Sequence, residues 1–207
     1  MEEKDKDDDN EVIKIGCFGE SSVGKTCLSR RFVDDNNFDF SIPTIGIEHF
    51  TKMLILSDGQ KYKIKIYDTA GQERYRSLCM NSIRPCDGII LMYDITNRET
   101  FDLLFRNWIN NIYEIKKEDF PLIIIGNKCD LEDKREISKE EGLKAANQYK
   151  TLFFETSAKE GINYKKPFEE LLNKIIIQKK EKSKNKKKNN NLKLDKKSNR
   201  KKKHKGC

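Results

Sequence analysis

Histidine is nearly absent from this chain: His49 and His204 are the only two in 207 residues. Neither belongs to a Ser/His/Asp or Cys/His arrangement, so any catalysis must rest on positioning and electrostatics, not on a histidine base. The six cysteines, Cys17, Cys27, Cys79, Cys86, Cys129 and Cys207, make no CxxC pair and no metal-ligand spacing. With no apolar secretory segment at the start, they are expected to be reduced thiols in a cytosolic protein. No apolar run approaches the roughly 18 residues that a membrane-spanning helix needs.

Charge is present in excess, but unevenly. Lys and Arg number 42 against 34 Asp and Glu, a formal net charge of +8. Residues 179–207 hold fifteen Lys or Arg against Glu181 and Asp195, whereas residues 1–11 hold seven acids against Lys4 and Lys6. The segment between is formally neutral, so basic character belongs to the tail and not to the body. The head is acidic and almost devoid of large apolar residues. The tail is rich in Lys and Asn, with Asn189, Asn190 and Asn191 in a row. Neither end can bury enough surface to fold alone. The expected organisation is a disordered head at 1–11, one domain at 12–178 and a disordered polybasic tail at 179–207.

Between the ends, apolar β-rich runs recur at 12–18, 52–56, 62–67, 88–93, 121–126 and 152–155. Helix-like stretches fall at 25–34, 99–115, 139–148 and 164–178. The second of these places Phe101, Leu104, Phe105, Trp108, Ile112 and Ile115 at helical spacing. Phe101 and Trp108 read as core packing. A Ser57-Asp58-Gly59 turn predicts a hairpin between the second and third strands. The fold class is therefore α/β, a six-stranded, mostly parallel sheet with one antiparallel strand and helices on both faces.

Gly19-Glu20-Ser21-Ser22-Val23-Gly24-Lys25-Thr26 completes G-x-x-x-x-G-K-[ST] between the first strand and first helix. That context predicts a phosphate loop (P-loop), with small residues letting backbone amides curl around an anion at a helix N-terminus. Gly19, Ser21, Ser22, Val23, Gly24, Lys25, Thr26 and Cys27 are the candidate phosphate contacts. Lys25 would reach the β- and γ-phosphates, and the Thr26 hydroxyl would ligate Mg2+. Asp68-Thr69-Ala70-Gly71-Gln72-Glu73 follows the third strand. Asp68 can hold Mg2+ through water, the Gly71 amide can sense the γ-phosphate, and Gln72 can orient the attacking water. In Asn127-Lys128-Cys129-Asp130, the Asp130 carboxylate can accept from N1–H and the exocyclic amine of guanine, a pattern adenine lacks. Asn127 would brace that loop, and the Lys128 stem would lie along the base. Ser157-Ala158-Lys159 ends the last strand, where a backbone N–H near Ala158 can bond the guanine carbonyl. Each motif falls at the C-terminal end of an expected strand, the edge where open α/β sheets bind ligands.

Over residues 12–178 these motifs resemble the Ras superfamily of small GTPases. Thr44-Ile45-Gly46-Ile47-Glu48, Arg74-Tyr75-Arg76-Ser77-Leu78 and Arg30-Arg31-Phe32 ahead of Asp34-Asp35 make the Rab family the best match. The resemblance implies a P-loop small-GTPase fold and slow GTP hydrolysis raised by a GTPase-activating protein's arginine, on the order of 10³–10⁵-fold. It implies that Thr44 in switch I closes on Mg2+ and the γ-phosphate. Switch II would run from Gly71 through 72–83, and exchange factors and effectors would read both switches. The catalytic set is then Gln72, Lys25, Thr44 and Gly71. Phe38 is expected near the base, one position later than usual, with Asn37 in the usual register, which predicts faster nucleotide exchange. Other departures are Tyr67 for a tryptophan, His49 for a phenylalanine (with Phe50 able to take its role), Ser82-Ile83 for an aromatic pair, and one extra residue placed at the 57–59 turn. Ser21 and Ser22 stand where many relatives have glycine.

Cys207 follows Gly206, which is not a C-a-a-X box. Rab-like chains often end in cysteines that carry geranylgeranyl groups, and one such chain needs a second signal for stable anchoring. Residues 196–205 supply it, at roughly 1 kcal/mol per charge near an anionic leaflet. The expectation is a monomeric cytoplasmic switch reversibly attached to a membrane's cytosolic face in vesicle traffic. Its alternatives are a nucleotide-locked scaffold, or a nuclear or nucleic-acid-associated GTPase using the basic tail. The neutral body and a tail without aromatics argue against nucleic acid.

Overall fold

The computed structural model describes residues 11–35, 44–71, 76–116 and 120–203, the side chains of 76–78 and 185–203 excepted. Its strands are β1 (Glu11–Phe18), β2 (Ile47–Ile55), β3 (Lys61–Thr69), β4 (Gly88–Asp94), β5 (Leu122–Asn127) and β6 (Leu152–Thr156). The helices are α1 (Lys25–Val33), α2 (Arg76–Ile83), α3 (Arg98–Leu103), α4 (Asn110–Lys116), α5 (Lys139–Gln148) and α6 (Lys166–Lys203). They surround a six-stranded sheet ordered β2-β3-β1-β4-β5-β6. All neighbours run parallel except β2 and β3.

Strand alternation sorts the apolar side chains into two cores. Ile90 and Met92 of β4 join Ile13, Ile15, Leu28, Phe32, Phe168 and Ile175 under α1 and α6. Ile89, Leu91 and Tyr93, one residue out of phase, join Phe101, Trp108, Ile112 and Ala146 under α3, α4 and α5. Every residue of β4 and β5 is buried, as central parallel strands covered on both faces should be.

Three boundaries differ from the sequence reading. β2 begins at Ile47, five residues ahead of the expected 52, because an edge strand needs no continuous apolar run. Its nine pairs with β3, from Ile47 opposite Thr69 to Ile55 opposite Lys61, are unbroken. The two strands are joined across the Ser57–Gly59 turn, where Gly59 takes φ +77. The helix expected at 99–115 is interrupted by a π-helical turn, Leu104–Ile109, between α3 and α4. Leu104, Trp108 and Ile109 of that turn are buried.

The third difference concerns the tail. Helix α6 does not stop at Gln178 but keeps helical backbone through Lys203. Phe168, Leu171, Leu172, Ile175 and Ile176 bury its first turns. None of residues 177–184 is buried. Lys179 bridges Glu11 at 2.8 Å and Asp87 at 3.6 Å, and Lys180 bridges Asp58 at 3.1 Å. The start of the basic segment therefore lies against the body. Among the described residues, no helix is long and apolar enough to cross a membrane.

Candidate functional site

The sheet order reverses at β1, which lies between β3 and β4, and the loop leaving β1 occupies that switch point. Gly24, at φ +98, is the N-cap of α1, and no side chain caps the helix. A Cβ on Gly24 would lie 2.2 Å from Asn127 Nδ2. The first turn of α1 contains no acid, and Arg30 and Arg31 sit in its last turn. Uncapped amides at the positive end of a helix dipole are suited to an anion.

Lys25 is 4% exposed. Its Nζ donates to Gly19 O at 3.0 Å and Glu20 O at 2.7 Å, which leaves its third donor for a phosphate oxygen. Burial pushes its pKa down, and the Asp68 carboxylate opposes that shift. Asp68, at the end of β3, accepts from Thr26 Oγ1 at 2.5 Å and Thr44 Oγ1 at 3.1 Å. The two hydroxyl oxygens are themselves 2.6 Å apart. Burial raises the Asp68 pKa, while the Thr26 hydroxyl and Lys25 pull it down. Asp68 Oδ1 is buried and has no hydrogen-bond partner among the described residues. Two hydroxyls and one carboxylate, a single oxygen of which is unpartnered, fit a hard divalent cation such as Mg2+.

Gly71 packs on this loop: a Cβ there would sit 2.3 Å from Glu20 C and Ser21 N. Ser21 and Ser22 are exposed. Ser22 holds φ +63, a left-handed conformation that costs an L-residue energy. Ser22→Gly is expected to stabilise the fold by about 0.5–1 kcal/mol, after the entropy cost of glycine. A lower melting temperature would contradict this. Cys27 is half-buried in the first turn of α1, and burial raises its thiol pKa.

The base-side loops meet at Asn127, which is 2% exposed. Its Nδ2 donates to Val23 O at 2.8 Å, and its Oδ1 accepts from Thr156 Oγ1 at 2.9 Å and Ala158 N at 3.2 Å. One side chain thus joins the P-loop, β5 and the loop after β6. The Ala158 amide, expected to face a guanine carbonyl, is bonded to Asn127 here. Ser157 accepts from Glu160 N at 2.9 Å, and Lys159 O accepts from Arg31 at 2.7 Å, which close that loop. Lys128 stands at φ +68 with Nζ 2.6 Å from Asp94 Oδ2. Asp130 Oδ1 is buried without a partner among the described residues. Phe38, Asn37, Gln72 and Cys207 lie outside the described residues.

Phe50 does not take the place of His49. Adjacent residues on a strand face opposite sides. His49 is exposed and meets Tyr67 edge-on at 4.6 Å, whereas Phe50 packs against the α1-side core under Arg30. Ser82 and Ile83 are both buried. Sequence reasoning gave no role to Glu20, Asp94 or Thr156: Glu20 occupies a variable position of its motif, Thr156 stands in the Glu155–Lys159 run beside the residues expected near the base, and Asp94 belongs to no motif.

A loop of P-loop sequence at the switch point, a converging set of oxygen donors and a carboxylate with one buried, unpartnered oxygen define a P-loop nucleotide-binding protein. The Ras family model matches residues 14–177. Human Rab-8B is 46% identical over 165 residues, covering 80% of this chain and 79% of that protein. Bovine Rab-8A is 46% identical over 164 residues, covering 79% and 78%. Rab-8 of Diplobatis ommata is 45% identical over 165 residues, covering 80% and 78%. The chain belongs to the Ras family, and within it is most similar to Rab proteins. It is a Rab-like GTPase of vesicle traffic that binds guanine nucleotide, hydrolyses GTP and works with regulators and effectors.

Proposed function

We propose that this GTPase holds GTP or GDP along the P-loop with Mg2+, hydrolyses GTP with Gln72 placing the water, and acts from a membrane through its tail. The meeting of Thr26, Thr44 and Asp68 oxygens beside buried Lys25 carries this reading. Gly19, Ser21, Ser22, Val23, Gly24 and Cys27 line the phosphates, and Lys25 takes up β- and γ-phosphate charge. Mg2+, ligated by Thr26 and Thr44 and through water by Asp68, would supply charge neutralisation on the phosphate oxygens. Asp130 selects guanine, with Asn127, Lys128, Ser157, Ala158, Lys159 and Phe38 around the base.

Water attacks the γ-phosphorus as the bond to the β–γ bridging oxygen breaks, giving GDP and inorganic phosphate. The Gly71 amide and Thr44 hydroxyl meet the γ-phosphate, so its loss releases both switch segments from the site. Exchange factors, a GTPase-activating protein and effectors would read that change on a monomer. Single-turnover hydrolysis with and without Gln72→Leu tests the reading. A slower variant is expected, and equal rates would favour a nucleotide-locked scaffold.

A prenyl group on Cys207 and the 196–205 charges would hold the protein reversibly on the cytosolic face of an anionic membrane. A single lipid chain binds marginally, so both signals are needed. Mass spectrometry of Cys207 from native cells should find the adduct, and its absence would remove the anchor. Flotation is expected with anionic vesicles carrying the prenylated chain. Salt-titrated nucleic-acid binding without flotation would favour the alternative use of the tail.

A further inference from the structure

Trp108 lies in the π-helical turn between α3 and α4, 1% exposed, and its indole N–H donates to Glu20 Oε1 at 2.8 Å. The two residues are 88 positions apart in sequence. Glu20 is also where the phosphate loop is framed. Its carbonyl accepts from Lys25 Nζ at 2.7 Å, and its main chain with Ser21 N forms the surface on which Gly71 rests. Phe18, the last residue of β1, packs on the indole with ring centroids 5.9 Å apart. One aromatic side chain therefore meets both the strand that enters the loop and the first variable residue within it.

Trp108 and Ile109, both buried, belong to the π turn Leu104–Ile109. Such turns are uncommon and tend to mark functional sites.

We propose that Trp108 and Glu20 are a positioning pair: their hydrogen bond holds the loop in the frame from which Lys25 and Gly71 meet the phosphates, and so slows nucleotide release. Neither residue touches the reacting atoms. The inference rests on the guanine-nucleotide site proposed above, and it extends that site to a helix outside every nucleotide motif.

Release of N-methylanthraniloyl-GDP from the full-length protein, chased with excess GDP, tests the pair. W108F keeps an aromatic ring without the N–H. E20M keeps the length without the acceptor, and E20Q keeps an acceptor. W108F and E20M are each expected to speed release about tenfold, the size of one charge-assisted hydrogen bond. The double variant should release no faster than either single one, because both remove the same interaction. E20Q should restore slow release.

Trp108 is the single tryptophan of the chain, so its emission reports on this contact directly. GDP should shift that emission in the wild type and E20Q, and not in E20M. Wild-type release from E20M, additive effects in the double variant, or melting-temperature losses with unchanged release would each overturn the pair. If W108F does not fold, E20M against E20Q decides. A wild type that fails to bind GDP refutes the site itself, whereas one that binds it and is matched by E20M refutes only the pair.

Discussion

Asn127→Ala is expected to lose much of the protein's stability together with its nucleotide. The substitution leaves Val23 O, Thr156 Oγ1 and Ala158 N without the partner they have here. All three lie in buried surroundings, where an unsatisfied polar group costs about 1–3 kcal/mol. Even at the low end the sum is on the order of 3 kcal/mol, a large part of the roughly 5–15 kcal/mol that holds a domain folded. The same loss releases the P-loop from the loops on either side of the base, so GDP affinity should fall with stability. Asn127→Asp should also destabilise, since it keeps an acceptor for Thr156 and Ala158 but sets a buried carboxylate oxygen against Val23 O. Urea unfolding with and without GDP measures both effects. An alanine variant with the wild-type midpoint and GDP affinity would show that Asn127 does not join these loops.

Asp130→Asn is expected to lower guanine-nucleotide affinity by as much as about 10⁴-fold, the discrimination of a site built to hydrogen-bond its substrate. Asp130 Oδ1 is buried and unpartnered among the described residues, so its acceptor capacity is available to a ligand. An amide in its place presents one donor to the exocyclic amine of guanine, which is itself a donor. The same amide matches a base carrying a carbonyl there, so xanthosine diphosphate should bind the variant better than GDP. Calorimetric titration with both nucleotides decides this. Undiminished GDP binding would mean that Asp130 does not read the base.

Asp130 was singled out as a candidate by its motif and its place after an expected strand. That Asn127 braces a loop was also legible, but not the three groups it serves, because Val23, Thr156 and Ala158 come together only when β1, β4, β5 and β6 are in register. His49 and Phe50 show the same limit on a smaller scale. A one-residue shift in strand pairing exchanges the faces of the sheet, and the antiparallel register with β3 decided which ring meets Tyr67. Polar residues along β2 hid its first five positions, since an edge strand carries little apolar pattern.

The sequence by itself determined the strand-to-helix alternation, the hairpin at Ser57–Gly59 and the phosphate loop, because each is a local pattern of neighbouring residues. The two histidines and scattered cysteines also confined the chemistry to positioning and charge. That Thr26, Thr44 and Asp68 share one site was an expectation of their motifs and of the family resemblance. Only the tertiary structure decided that Trp108 of the π turn meets Glu20, and that Lys179 and Lys180 lie against acids of the body. Those contacts join residues far apart along the chain. They exist because parallel strands and their covering helices bring distant segments to one edge of the sheet, which local pattern does not encode.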